Sequence, residues 1–318
     1  MADPGAVLPP NNLPESQIAP PPPPSHFTIF RGPNGIRAGW RILIFLAIVA
    51  ALFTVLSIIV ALTSGGKIQR GGVSQLTPRL LILSEGVLFL FPSIAALIMA
   101  RIEHRKYGDY GLPARGAFGK RFWVGALAGF VAISACLLAI FLLHGFRLTG
   151  LAIHRKTIAT ATLAWSAAFI LVALAEEFSF RGYLQYTLTA GIGFWPSAII
   201  QSCLFGVAHW GNPGETKPGL LSVVCFALLF CFILRRTGNL WWAVGFHAGW
   251  DWGQTFFYGV PDSGLLPYHN LFNCTFSGKS WLTGGSVGPE ASVFTPIVLA
   301  VVALIVSSVY RENRYRAD

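Results

Sequence analysis

The segment Glu176-Glu177-Phe178-Ser179-Phe180-Arg181 sets two carboxylates and a guanidinium inside an apolar run from about Leu163 to about Ala190. A charged side chain at the centre of a membrane helix costs about 3 kcal/mol even on lenient insertion scales, so three together mark a site. On a helix, Glu177 and Arg181 are four apart, share a face and can pair. Glu176 lies about 100° round from Glu177 and has no partner in its own helix, which leaves its carboxylate available as a general base. Two further apolar runs supply imidazoles. His209 follows Phe205 by four residues in FGVAH, and His247 precedes Asp251 by four in HAGWD, so each pair shares a helix face. Two imidazoles and three carboxylates on three helices are most simply satisfied by a polar cavity inside a membrane bundle.

The elements that position these groups follow from composition. Hydrophobic residues make up 54% of the 318-residue chain and charged residues 11%, with a mean hydropathy of +0.60. A soluble chain carries about 25% charged residues, so the composition excludes an ordinary water-soluble domain. The apolar pattern predicts an all-α, polytopic membrane bundle of about eight spans around a polar cavity. The spans expected are Arg41 to Leu62, Leu80 to Ala100, Phe122 to Leu143, Leu163 to Ala190, Phe194 to His209, Leu220 to Leu234, Leu240 to Tyr258 and Ser292 to Tyr310. The fourth exceeds one crossing and must tilt, kink or leave the membrane near Gln185; Pro92 is expected to kink the second.

Residues 1–36 read as a disordered tail with polyproline II character, because Pro20 to Pro24 is unbroken and no apolar stretch occurs before Trp40. Residues 37–318 read as one multi-pass domain whose motif core runs from about 107 to 258, with a non-cytoplasmic loop from about Gly259 to Glu290. Lysine and arginine are denser on the side that holds Arg101, Arg105, Lys106, Arg115, Lys120 and Arg121, which predicts cytoplasmic termini. The net charge of +10 is then a topology and headgroup signal, and no nucleic-acid motif accompanies it. The five cysteines form no CxxC pair and read as small apolar side chains.

Glu-Glu-x-x-x-Arg at Glu176, Glu177 and Arg181, Phe-x-x-x-His at Phe205 and His209, and His-x-x-x-Asp at His247 and Asp251 occur in the order and at about the spacing of a known family. The chain resembles the type II CAAX prenyl endopeptidases and the related bacteriocin-processing and immunity proteins over about Tyr107 to Tyr258. FRGYLQ and RTGNLWWAVGFHAGWD look like the bacterial branch.

The resemblance implies an intramembrane endopeptidase in a prokaryotic cell membrane. Its substrate would be a membrane-associated peptide or protein, a prenylated CAAX-type chain among them, and no cofactor would be required. Glu176 would be the general base, His209 would hold the water, and His247 with the residue at 251 would stabilise the oxyanion, buttressed by Glu177 and Arg181. An ionised Asp251 cannot donate a hydrogen bond to an oxyanion. Asp251 must therefore be protonated, orient His247, or belong to a zinc set of Glu176, His209, His247 and Asp251, although no HExxH is present. The alternatives to a protease are a non-catalytic immunity or binding protein and a transporter with its ion site at Glu176, Glu177 and Arg181.

Overall fold

The computed structural model describes residues 29–32, 35–64 and 75–317. The chain divides into two compact units, Met1–Arg37 and Ala38–Asp318. In the first, Arg31–Gly32 pairs with Gly35–Ile36 in a short antiparallel hairpin. The tail's proline run lies outside the described residues.

The second unit is helical. Its chain order begins α1 (Ala38–Thr63), α2 (Pro78–Ile102), α3 (Lys120–Leu142), α4 (Ile158–Arg181) and α5 (Tyr183–Ile192). It continues with α6 (Phe194–His209), α7 (Lys217–Thr237), α8 (Trp241–Asp251), the single turn α9 (Ser280–Thr283) and α10 (Phe294–Val309). Among the described residues, five helical segments are long and apolar enough to cross a bilayer: α1, α2, α3, Arg155–Ile192 and α7. This is an integral membrane protein with an all-α bundle. The expected kink in the fourth run falls at Gly182, between α4 and α5, where an added Cβ would lie 2.3 Å from the carbonyl oxygen of Phe178.

The other three predicted spans are helices too, but shorter than a crossing needs at 1.5 Å per residue. α6 and α10 have 16 residues each, and α8 has 11, continued by a π-helical turn at Trp252–Phe257. Protein, not lipid, surrounds α8: every residue from Trp241 to Asp251 except His247 is buried. α1 is its opposite, with only Arg41 and Phe45 buried and Leu43, Val55 and Ile58 facing outward as lipid-exposed side chains do.

α8 is set against α3 with almost no side chain between the two backbones. A Cβ on Gly129 of α3 would sit 2.0 Å from the Phe246 carbonyl oxygen, and one on Gly249 of α8 would sit 2.0 Å from that of Ala126. Gly125 and Gly245 repeat the contact one turn away, at 2.2 Å from Trp242 O and 2.1 Å from Phe122 O. Small residues four apart on both helices let backbones touch, which drives helix association where lipid removes the hydrophobic effect. At the C-terminal end of α2 its C-cap residue, Glu103, gathers α1 and α5. It accepts from Arg41 Nε at 2.8 Å, Tyr110 at 3.1 Å and Tyr183 at 2.5 Å, and its second oxygen also pairs with Arg41. Four donors compensate a carboxylate that burial alone would penalise.

The connection from α8 to α10 is held by sheet pairing: Phe272–Phe276 runs antiparallel to Phe146–Leu151, and Leu266–Pro267 runs parallel to Gln75–Leu76. Gly129→Leu or Gly249→Leu is expected to destabilise the bundle by at least the roughly 1–3 kcal/mol typical of overpacking. Leu127→Ala, at a side chain of α3 that is 65% exposed, is expected to leave unfolding unchanged. Thermal or denaturant unfolding in detergent checks both.

Candidate active site

α4 ends in the bundle interior, so its last two turns carry Glu176, Glu177 and Arg181 inward together. The expected Glu177–Arg181 pair is present, with Arg181 Nη1 3.3 Å from Glu177 Oε1 and both side chains fully buried. Arg181 is also enclosed by rings: its guanidinium carbon lies 4.3 Å from the Phe205 centroid, 5.7 Å from Phe230 and 5.8 Å from Phe180. A weakly hydrated planar cation stacks on aromatic faces at a lower desolvation cost than a compact ammonium, so phenyl rings make burial of Arg181 tolerable. Phe205 is thus a wall of the Arg181 cage as well as the neighbour of His209.

Glu177 has a second task. Its Oε1 lies 3.0 Å from His247 Nδ1. An ionised carboxylate can only accept, so Nδ1 carries a proton and Nε2 is turned away from α4's buried face. Nε2 lies 3.4 Å from Asp251 Oδ2 and 3.6 Å from Glu176 Oε2. Glu176 is the more open of the two adjacent glutamates, with its side chain 26% exposed against 0% for Glu177. The imidazole also stacks on Phe230, with centroids 5.3 Å apart. His247 is therefore fixed from behind by Glu177, from the side by Phe230, and faces two carboxylates in front.

His209 ends α6. Its Nδ1 is 2.9 Å from the carbonyl oxygen of Phe205, and its ring lies 4.6 Å from the Phe205 ring. A carbonyl accepts only, so Nδ1 carries the hydrogen, and in the neutral imidazole Nε2 keeps the lone pair. Glu176, His209, His247 and Asp251 all line one cavity of about 600 Å³, walled elsewhere by apolar side chains of α1, α2, α4, α6 and α7.

Three acids in this cavity belong to none of the motifs. Glu85 enters from α2, and Asp262 and Glu290 descend from the connection between α8 and α10. The stretch expected as an outer loop thus covers the site and contributes to it. The π-helical turn after Asp251 anchors it: Thr255 donates to Asp262 Oδ2 at 2.6 Å and Gln254 Nε2 to Pro261 O at 2.8 Å. Glu290 Oε2 accepts from Ser263 N at 3.0 Å and Ser263 Oγ at 2.9 Å. Among the described residues, Asp251, Asp262 and Glu290 bring carboxylate oxygens within 4.8 Å of one another. Burial pushes Glu290 up to about 8, reinforced by the Asp262 charge, and burial likewise raises Asp262 to about 6 against the lowering hydrogen bond from Thr255.

Fold and site together define a polytopic membrane protein with an acid–imidazole cluster at the wall of a largely apolar cavity. Residues 157–253 match the family described as type II CAAX prenyl endopeptidase Rce1-like. The matched segment is shorter than the stretch of sequence resemblance, but it contains Glu176, Glu177, Arg181, Phe205, His209, His247 and Asp251. It leaves out Glu85, Asp262 and Glu290. No curated protein matches the chain.

Arg181→Ala leaves Glu177 buried without its cation and is expected to cost about 3–5 kcal/mol, measured by unfolding in detergent; Arg181→Lys restores the charge but not the stacking and recovers only part of the loss. Glu290 has a folded-state pKa above its unfolded one, so its contribution to stability is complete below about pH 4 and is lost as pH rises toward 8. Glu290→Gln is expected to flatten the fall in melting temperature between about pH 5 and 8.

Proposed function

We propose that this chain is an intramembrane endopeptidase that hydrolyses a peptide bond of a membrane-associated peptide or protein with water activated by Glu176. The observation that carries this reading is the fixed imidazole of His247, held by Glu177 at Nδ1 and presenting Nε2 to the cavity beside Glu176. The similarity of residues 157–253 to an endopeptidase family supports the same reaction class.

In this reading the Glu176 carboxylate takes a proton from water while His209 Nε2 accepts the water's second hydrogen bond. The hydroxide attacks the carbonyl carbon, and the electron pair of the C=O bond moves to oxygen. His247, carrying hydrogens on both ring nitrogens as the imidazolium, donates from Nε2 and stabilises that oxyanion, the role that usually supplies the largest single contribution to acyl transfer. Collapse expels the amine, which takes the proton held by Glu176. Asp251, an acceptor at 3.4 Å from Nε2, fits the part of orienting and charge-balancing His247 better than that of an oxyanion donor. The lysine and arginine distribution supports a cytoplasmic location of both termini.

A second reading, the same hydrolysis with a metal, is favoured by one observation, the convergence of Asp251, Asp262 and Glu290. Three hard oxygen donors suit Mg²⁺ or Ca²⁺ better than zinc, and in that arrangement they would hold an ion that polarises the carbonyl. Glu176 would remain the base.

Purified protein in bilayer nanodiscs, offered a mixture of membrane peptides and lipopeptides, is expected to give cleavage products by mass spectrometry. Glu176→Gln is expected to lose about 100- to 10,000-fold in rate, the usual share of a general base. Survival of cleavage under a chelator supports the metal-free route, and its loss supports the second reading. Biological protection retained in Glu176→Gln, with no cleavage by the wild type, would replace the endopeptidase with an immunity or binding protein.

A further inference from the structure

The end of α6 is loosely packed, yet it carries His209. Val207 and Trp210, which flank it, are 63% and 69% exposed, and Ala208 is exposed as well. The bond from His209 Nδ1 to Phe205 O fixes the imidazole relative to its own helix. It does not fix the helix end relative to Glu176 on α4. The last turn of a helix is where fraying begins, so a reactive group placed there needs a tie from outside the helix.

The turn after α6 supplies that tie. Asn212 N donates to His209 O at 3.1 Å, which joins the turn to the helix end. Asn212 Nδ2 donates to Ser263 O at 3.0 Å, and because a carbonyl only accepts, it is the NH2 group of the amide that faces it. Two residues further on, Gly214 O accepts from Ser286 Oγ at 2.7 Å. Gly214 also touches Gly264 so closely that a Cβ on Gly214 would lie 2.5 Å from Gly264 O.

Ser263 is built as a fixed anchor. Asp262 and Leu265 exchange backbone hydrogen bonds at 2.9 and 2.8 Å, which leaves Ser263 and Gly264 as the two-residue tip of a hairpin, with φ of +44° and +83°. Such tips favour asparagine or glycine, and a serine in the left-handed region persists only where its surroundings over-determine it. Here Glu290 Oε2 accepts from Ser263 N at 3.0 Å and Ser263 Oγ at 2.9 Å, and Gly264 N donates to Val287 O at 3.3 Å. Glu290 O in turn accepts from Ser222 Oγ of α7 at 2.6 Å. The carbonyl that Asn212 engages therefore sits on a tip held to the bundle, beside the cavity that His209, Asn212 and Ser263 all line.

We propose that Asn212 is a positioning residue for the hydrolysis: by tying the turn after α6 to the Ser263 carbonyl, it fixes where His209 presents Nε2 in the cavity. This rests on the endopeptidase reading and adds a residue to it. Asn212 belongs to none of the three motifs, and Ser263 lies outside the family match. A water shared by Glu176 and His209 needs both acceptors within hydrogen-bond distance at once, and a misplacement of about 1 Å costs about 100-fold in rate.

The test is a double-mutant cycle on the full chain in bilayer nanodiscs, with a peptide that the wild type cuts: wild type, Asn212→Ala, His209→Ala and the double variant. Asn212→Ala is expected to lower kcat about 10- to 100-fold with KM changed less than about 3-fold, and to add less than about 3-fold to the loss in His209→Ala. Asn212→Asp keeps the size, but its carboxylate has no hydrogen for the Ser263 carbonyl, so it is expected to match Asn212→Ala. Ser286→Ala removes the second tie to the same turn and is expected to lose less. Nitrogen-15 NMR of labelled histidines, with His209 assigned by its loss in His209→Ala, is expected to show one sharp His209 signal in the wild type and a broadened or split one in Asn212→Ala.

An equal loss from Asn212→Ala with and without His209 would overturn the assignment, and so would an unaltered His209 signal. A raised KM at unchanged kcat would make Asn212 a substrate contact instead. Should Asn212→Ala not fold, Asn212→Asp and Ser286→Ala carry the same readouts. Cleavage indifferent to Asn212→Ala and Asn212→Asp keeps the endopeptidase and overturns the positioning role. A His209 signal that depends on Asn212 in a wild type that cuts no peptide keeps the hold of Asn212 on His209 and overturns the endopeptidase.

Discussion

The backbone contact between α3 and α8 is the constraint on which the site depends. α8 is too short to be placed by the bilayer, and its 11 residues lie inside the bundle. Its depth and rotation are set by four glycines, two per helix, that admit no side chain at the crossing. His247 and Asp251 are carried on that helix, so the distances from His247 to Glu176 and Glu177 are consequences of how closely α3 lets α8 approach. A methyl group at the crossing would push α8 away, and a shift of an ångström is comparable to the difference between a hydrogen bond and none.

Buried acids are handled in two ways in this protein. Glu103 and Glu177 are compensated within the fold, the first by Arg41 and two tyrosines, the second by Arg181 and His247. Those at the cavity are not. Glu85, Glu176, Asp251, Asp262 and Glu290 have hydroxyls, amides or an imidazole nearby but no lysine or arginine in the lining. Structural ion pairs neutralise an acid within the fold, even where, as at Glu177 Oε2, one oxygen has no hydrogen-bond partner among the described residues, whereas a site keeps capacity for a substrate or a reacting proton. The division between Glu176 and Glu177 shows this within two adjacent residues: one rotation step of about 100° separates the glutamate in its cage from the glutamate in the cavity.

Sequence pattern picked out Glu176, Glu177, Arg181, Phe205, His209, His247 and Asp251, because charge within apolar runs is rare and its periodicity on a helix is fixed, but it gave neither the caging role of Phe205 nor the hold of Glu177 on His247. The same rule applies to Glu85, the one acid in the apolar part of the second run, but a lone carboxylate without an i,i+4 partner gives no pattern to read. Asp262 and Glu290 were not legible at all. They stand among glycines, prolines and polar residues that read as solvated, and only the pairing of Phe272–Phe276 with Phe146–Leu151, together with the hydrogen bonds from Thr255 and Gln254, folds that stretch over the cavity.

By itself the sequence determined that this chain is a membrane bundle and which helices hold its buried ionisable groups, since hydropathy follows from composition and an α-helix places residues four apart on one face. It could not separate a lipid-spanning helix from one buried in protein, because both are apolar along their length; packing alone shows that α8 is enclosed by protein, whereas the short α6 and α10 keep outward apolar faces such as Ile199 and Leu304. Tertiary structure alone decided that Glu177 holds His247 rather than only Arg181, and that three further acids complete the cavity. Those are contacts between segments distant in the chain, and nothing local in either segment encodes its partner.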